Sequence, residues 1–392
     1  MLRCASLFSQ VLSLVNRTNF AVAVKTFRAE KAAKGFNCWD QFVAMLFCQL
    51  AQAKSLREIT QGLLCCEGKL QHLGMQAAPK RSTLSYANAH RPWKLYERVF
   101  YDLLEQCRPL APRHKFRFKN KLLSLDATVI ELCLSLFDWA RFRQTKGAVK
   151  LHLLLDHDGY LPVFAHISEG REHEIRFARS LRLPRGSVVA MDRGYNDYRL
   201  FEAWTEQGVF FVTRLKSNAN YVVVEERPIP KTQQGRILKD QIIELTPFNS
   251  GRKCCARLRR IEVWLEDKAQ TLVLLTNHLE WAASTIAAIY KQRWQIELFF
   301  KALKQYLRIK TFVGTNANAV HIQIWTALIA MLLFKYLQYR SKFQWALSNL
   351  VALLRWNLFS YRDLWAWIDA PFDTAPQPPT ATQLVLDSIA PA

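Results

Sequence analysis

Between Asn37 and Leu110 apolar residues recur every three or four positions, through WDQFVAMLFCQLAQA, SLREITQGLL, STLSYANAH and WKLYERVFYDLLEQC, a period that predicts helices. Ser55 and Ser82 stand where N-caps are expected. The N-terminal MLRCASLFSQVLSL resembles a secretory leader only faintly, because Ser9 and Gln10 interrupt its apolar run, and it reads as a first helix. After Lys119 the period shortens. KLLSLDATVIELC, KGAVKLHLLLD and LPVFAHISEG are partly alternating strand segments, the last two joined by the turn His157-Asp158-Gly159-Tyr160. A helix (HEIRFARSLRL), a strand (GSVVAMD), a helix (DYRLFEAWTEQ) and a strand (VFFVTRLK) follow, giving β-β-β-α-β-α-β, an α/β pattern of strands flanked by helices.

From about Ser217 to Ala282 NYVVVEE, ARLRRIEVWLE and QTLVLLTN predict further strands, so this stretch reads as a β-rich insertion. One long helix is expected from Ser284 to about Arg308, and two or three apolar helices up to Ile368. The longest apolar run, Ile324 to Phe334, is short of the ~20 residues that a membrane span needs and reads as a buried helix. The Pro-, Ala- and Thr-rich APFDTAPQPPTATQ is expected to be disordered. The expected domains are an all-helical 1–112, an α/β core over 113–312 with its insertion at 217–282, a helical 313–370 and a tail over 371–392.

Charge narrows the possible partners. The 392 residues carry 54 Lys and Arg against 32 Asp and Glu, a formal net charge of +22, which repels itself unless a polyanion binds. Nucleic acid is the first partner to consider, with an anionic lipid surface or a merely basic protein as the alternatives. A basic stretch, Arg113 to Lys121, joins the first helices to the strands as a linker suited to tracking phosphates. The third helix, with Ser82, Thr83, Asn88, His90 and Arg91 expected at its surface, suits either a helix laid against DNA or the polar face of a bundle. The nine cysteines include the adjacent pairs Cys65-Cys66 and Cys254-Cys255 but no C-x-x-C, which fits reduced thiols in a cytosolic protein.

The chemistry resides in carboxylates. In a β-β-β-α-β fold the first and fourth strands run side by side and parallel, which brings Asp126 in LSLDAT near Asp192 at the end of VVAMD. Each Asp alone is equally a strand-end cap or a salt-bridge partner. A buried carboxylate is costly without a cation, however, and two together make a metal site attractive. In IYKQRWQIELFFKALKQYL, Tyr290, Arg293, Glu297, Lys301 and Lys304 lie at offsets 0, 3, 7, 11 and 14, within roughly 80° of helix circumference. A charged stripe is ordinarily a solvated face; here a single Glu stands among cations. His173, with Glu169, Glu172 and Glu174, forms a competing metal cluster or caps the helix that follows.

Tyr290, Arg293, Glu297 and Lys304 match Y-x2-R-x3-E-x6-K, and the chain resembles the DDE transposases of the insertion sequence four group. Asp192-Arg193-Gly194-Tyr195, the strand carrying Asp126, the segment Lys146 to His152 and F-V-x-R-x-K from Phe211 to Lys216 resemble the same family, over about Lys119 to Thr311. The resemblance implies a ribonuclease H-like core with a β-rich insertion before the last acid. It also implies two divalent ions, Mg2+ or Mn2+, held by Asp126, Asp192 and Glu297. Further implications are double-stranded DNA as partner, with element terminal inverted repeats and target DNA, and a homodimer using the helices after Val320, in the bacterial cytoplasm near the nucleoid. Tyr290 and Arg293 are then expected at the phosphate beside the cut, Lys301 and Lys304 at the transferred end, and Arg193, Arg214 and Lys216 on the same DNA. Trp264 is a candidate for stacking on a flipped base, with cross-strand packing as its ordinary role. Two alternatives are a nuclease of the same fold without strand transfer and a non-enzymatic DNA-binding protein derived from a transposase.

Overall fold

The computed structural model describes residues 5–374 except 32, 34, 67, 134, 138, 144, 145, 171 and 247–256. The Cys254-Cys255 pair and the tail from 375 lie outside these residues. Two compact units divide the chain: 1–110 with 306–392, and 111–305.

The first unit begins with α1 (Leu7–Leu12), α2 (Arg17–Thr26), α3 (Cys38–Leu50), α4 (Leu56–Leu64), α5 (Arg81–His90) and α6 (Lys94–Cys107). Asn37 and Asp40 form a capping box at the start of α3, every residue of which is buried, and Ser55 caps α4 as expected. Two local expectations fail. Lys80, without a side-chain cap, precedes α5, and Ser82 lies inside the helix. Asn88 is buried, not exposed: its Oδ1 accepts from Gln41 Nε2 at 2.8 Å and its Nδ2 meets Met45 Sδ at 3.3 Å. An amide that satisfies a core partner cannot read DNA in this arrangement.

The second unit holds one sheet. Its strands are β1 (Leu122–Leu132), a short β2 (Arg141–Arg143) that the sequence pattern did not indicate, β3 (Lys146–Asp156) and β4 (Leu161–Glu169). After α7 (Glu174–Ser180) come β5 (Val188–Met191), α8 (Tyr198–Glu206) and β6 (Phe210–Arg214). The order β4-β3-β1-β5-β6, with only β3 antiparallel to its neighbours, is the ribonuclease H-like core. The insertion comprises β7 (Tyr221–Glu226), β8 (Ile237–Leu245), β9 (Arg257–Leu265) and β10 (Gln270–Thr276). It extends the same sheet, because β10 pairs antiparallel with β6 and carries β9, β8 and β7 outward. Phe177, Leu200, Phe201 and Trp204 of α7 and α8 pack on one face of the sheet. On the other face lie Ile286, Ile289 and Tyr290 of α9 (Ala283–Gln292).

The single helix expected from Ser284 is two: α9 and α10 (Trp294–Tyr306). At the junction Arg293 N bonds to the Tyr290 carbonyl and Ile296 N to the Arg293 carbonyl, i to i−3 bonds that tighten one turn. Back in the first unit, α11 (Ala317–Arg340), α12 (Leu347–Trp356) and α13 (Leu364–Asp369) complete the chain. By length and composition α11 passes as a membrane span, yet 83% of its most apolar window is buried inside the protein. It packs on α3, α5 and α6, with Trp325 5.2 Å from the Phe100 ring.

Candidate active site

Strand register brings the two aspartates together. Leu125 of β1 stands opposite Met191 of β5 in a parallel pair, and the next residue on each strand is Asp126 and Asp192. Leu123, Leu125, Val189 and Met191 point into the cluster beneath α7 and α8, whereas Leu122, Val188 and Ala190 point toward α9. With the two-residue period of a strand, Asp126 shares the side of Leu122 and faces the helices that carry Arg293 and Glu297. Beyond Asp192 the chain enters a short 3-10 turn, Arg193–Tyr195. Thr213 and Asn196 fasten that turn to β6. Thr213 Oγ1 lies 3.2 Å from the Asp192 carbonyl and 3.1 Å from Asn196 Oδ1, and Asn196 Nδ2 donates to the Arg214 carbonyl at 2.9 Å.

Arg293 joins the strand to the helix. One guanidinium nitrogen lies 2.6 Å from Glu297 Oε1 and another 3.6 Å from Asp126 Oδ2, while Nε is buried without a partner. Its guanidinium stands 5.7 Å from the centre of the Tyr290 ring. Burial pushes the Asp126 carboxyl up to about 6, against the Ala127 N–H and Arg293, which favour the charged form, and with Asp192 and Glu174, which disfavour it. The Tyr290 phenol is also raised by burial. Tyr195 is fully buried, its hydroxyl has no hydrogen-bond partner, and burial with Asp126, Glu174 and Asp192 nearby drives its pKa upward.

This is an oxygen-donor site short of positive charge, the chemistry that suits a hard divalent cation. Among the described residues no three His, Cys, Asp or Glu stand close enough to cage a metal as they are; Arg293 bridges Asp126 and Glu297. Asp126, with its carboxyl raised by uncompensated burial, and the orphaned Tyr195 hydroxyl fit a missing polar ligand at this place.

The remaining predicted residues differ in burial and in partners. Lys301 and Lys216 are exposed, Arg193 is exposed in the 3-10 turn, and Arg214 ends β6 half-buried within electrostatic reach of Tyr290. Lys304 donates to the Val129 carbonyl at 2.9 Å, tying α10 to β1. Trp264 lies opposite Thr271. Its neighbours Val263 and Leu265 point toward α9, so Trp264 takes the face away from Asp126. His173 precedes α7 without a side-chain cap, and Glu174 pairs with Lys150 at 3.4 Å. Sequence reasoning passed over Trp294, which is 55% exposed, with Leu298 at 42% one turn on and Arg293 beside it. Two apolar residues one turn apart beside the charged arc were the available signal.

Residues 117–333 match the family model described as Transposase DDE domain, and residues 3–76 match a domain of unknown function, DUF4372. The chain belongs to the DDE transposase family, and it is a transposase, an enzyme class that works with divalent metal ions. It is 32% identical to y4zB of Sinorhizobium fredii, described as a transposase, over 75% of this chain and 81% of that one. It is 27% identical to the transposase described for insertion sequence element IS5377 of Geobacillus stearothermophilus, over 67% and 68% of the two chains. A cryo-EM structure of the piggyBac transposase synaptic complex with hairpin DNA has a TM-score of 0.44 at 11% identity, covering 90% of this chain and 79% of that one. At that score the likeness has no bearing on function.

Proposed function

We propose that this transposase binds the ends of its own element and moves it by cut-and-paste, with Asp126, Asp192 and Glu297 holding two divalent ions, Mg2+ or Mn2+. The observation that carries the reading is the meeting of three elements: Asp126 and Asp192 follow directly from the β1–β5 register, and Glu297 reaches the same Arg293 that contacts Asp126. Bound ions supply activation of the attacking oxygen and stabilisation of the leaving one. Arg293 and Tyr290 grip the phosphate beside the cut, a role that suits a guanidinium with a spare buried N–H. Lys301, Lys304, Arg193, Arg214 and Lys216 extend the cationic surface along the DNA. Water attack frees a 3′-hydroxyl, which attacks the opposite strand to close a hairpin and release the flanking DNA; a second water opens the hairpin and restores the 3′-hydroxyl, which attacks target DNA and displaces a target 3′-hydroxyl. Each step is an in-line exchange at phosphorus that needs no energy cofactor. A flipped base in the tight hairpin calls for an aromatic platform. Trp294 is better placed for this than Trp264, because it is exposed and adjacent to Arg293. The working form is a homodimer that pairs two element ends.

Labelled element-end duplex incubated with Mg2+ and resolved on a denaturing gel tests the order of steps. A nick followed by a hairpin species is expected. Double-strand cutting that never passes through a hairpin would replace this scheme with that of a simple nuclease.

A further inference from the structure

The stretch from Arg113 to Lys121, expected as a linker, is fixed to the catalytic unit. Exposure alternates strictly: Arg113, Lys115, Arg117 and Lys119 are exposed, while His114, Phe116, Phe118 and Asn120 turn inward. The inward side is anchored at both ends. Phe116 stacks on Phe118 at 4.9 Å, and Phe118 stacks on Trp281 at 4.4 Å. His114 N donates to Asp158 Oδ1 at 2.9 Å, and Asn120 Nδ2 donates to the Gly186 carbonyl at 2.7 Å. The outward side has no counterpart. No ion pair among the described residues involves any of its four cations. The next cation, Lys121, is by contrast neutralised by Asp156 at 2.5 Å and Asp158 at 3.3 Å.

We propose that Arg113, Lys115, Arg117 and Lys119 form a prearranged cationic ribbon that grips the phosphate backbone of duplex DNA without reading its sequence. Aromatic docking fixes the backbone beforehand, so less ordering remains for the moment of binding than in a free basic linker. The outward side carries only long cations, with no amide or carboxylate beside them to read adenine or cytosine edges, a composition suited to phosphate contacts. The ribbon leads into β1 at Leu122, and Asp126 lies four residues on, ~13 Å along a strand. A duplex with its scissile phosphate at the acids would therefore meet the ribbon about four base pairs or more from the cut. The ribbon holds the flank while the acidic site does the chemistry.

Duplex binding by the full chain in EDTA, followed over a range of salt concentrations, tests this independently of the metal reading, because no cleavage is needed. The fourfold variant Arg113→Gln, Lys115→Gln, Arg117→Gln, Lys119→Gln is compared with a control of equal charge change, Arg182→Gln, Arg199→Gln, Arg236→Gln, Lys268→Gln, all exposed in the same unit. Four lost phosphate contacts should flatten the slope of log K against log salt by about 3.6. The loss should be the same for element-end and unrelated duplexes, and the control should keep nearly the full slope. A ribbon variant with an unchanged slope, or a control that loses as much, overturns the proposal. Should the fourfold variant melt early, Lys115→Gln alone, with an expected slope change of about 0.9, decides in its place.

Discussion

Asp126 carries a stability cost in the metal-free fold. Its folded pKa of about 6 stands above the ordinary 3.8 because burial disfavours the charge. Well below the ordinary 3.8 the group is protonated in both folded and unfolded chains and carries no penalty. As pH rises toward 6 the unfolded chain releases the proton more readily, and above that the metal-free fold is destabilised by ~3 kcal/mol. His152 and His157, pushed down to about 4 by burial, act with the opposite sign: their stabilisation is complete above pH 6.5 and is lost as pH falls toward 4. Both histidines are present in wild type and variant alike, so a difference measurement removes them. Asp126→Asn should therefore raise the metal-free melting temperature by several degrees at pH 8, lose that advantage near pH 4, and abolish cleavage. A variant less stable than wild type at pH 8 would show that Arg293 already compensates the charge.

At the level of elements, the position of α9 depends on a buried ion pair in the insertion. Arg259 Nε and Nη2 meet Asp240 Oδ1 and Oδ2 at 2.8 and 2.6 Å, both side chains being almost wholly buried. Nη1 of the same guanidinium donates to the Leu279 and Trp281 carbonyls, which fastens the loop leading into α9. Arg259→Met leaves Asp240 buried and unpaired, a loss of about 3–5 kcal/mol, and denaturant unfolding should register it. A change below ~1 kcal/mol would mean that the loop has other anchors. Where the sequence was legible, the reason was periodicity. The strands of the core, the pairing that sets Asp126 inside β1 beside Asp192 just past β5, and the α10 face of Glu297, Lys301 and Lys304 follow from two- and 3.6-residue repeats. Less visible was anything set by long-range contact. Asn88 looks polar and free until Gln41, 47 residues away, is placed against it. The break at Arg293 arises in a strongly helical sequence, where the chain tightens beside Asp126 of β1. Phe116 and Phe118 read as incidental residues in a basic run until Trp281 stacks on them.

On the scale of the whole molecule, the net charge of +22 and the DDE domain match agree in describing a transposase. The first helices and the last belong to one unit, although nearly 200 residues of catalytic core separate them in sequence. That unit buries α11, so a stretch apolar enough for a membrane serves as a helical core. If the acids form a metal-dependent DNA-cutting centre, Glu297 is the residue to change, since Gln keeps the size and removes only the charge. Wild type and Glu297→Gln are each incubated with labelled element-end duplex and Mg2+, and binding and cutting are scored on the same samples. Equal binding is expected, with cleavage by wild type and a loss of at least a thousandfold, about 4 kcal/mol of barrier, in the variant. Equal cleavage by the two proteins would contradict this expectation and remove Glu297 from the active site.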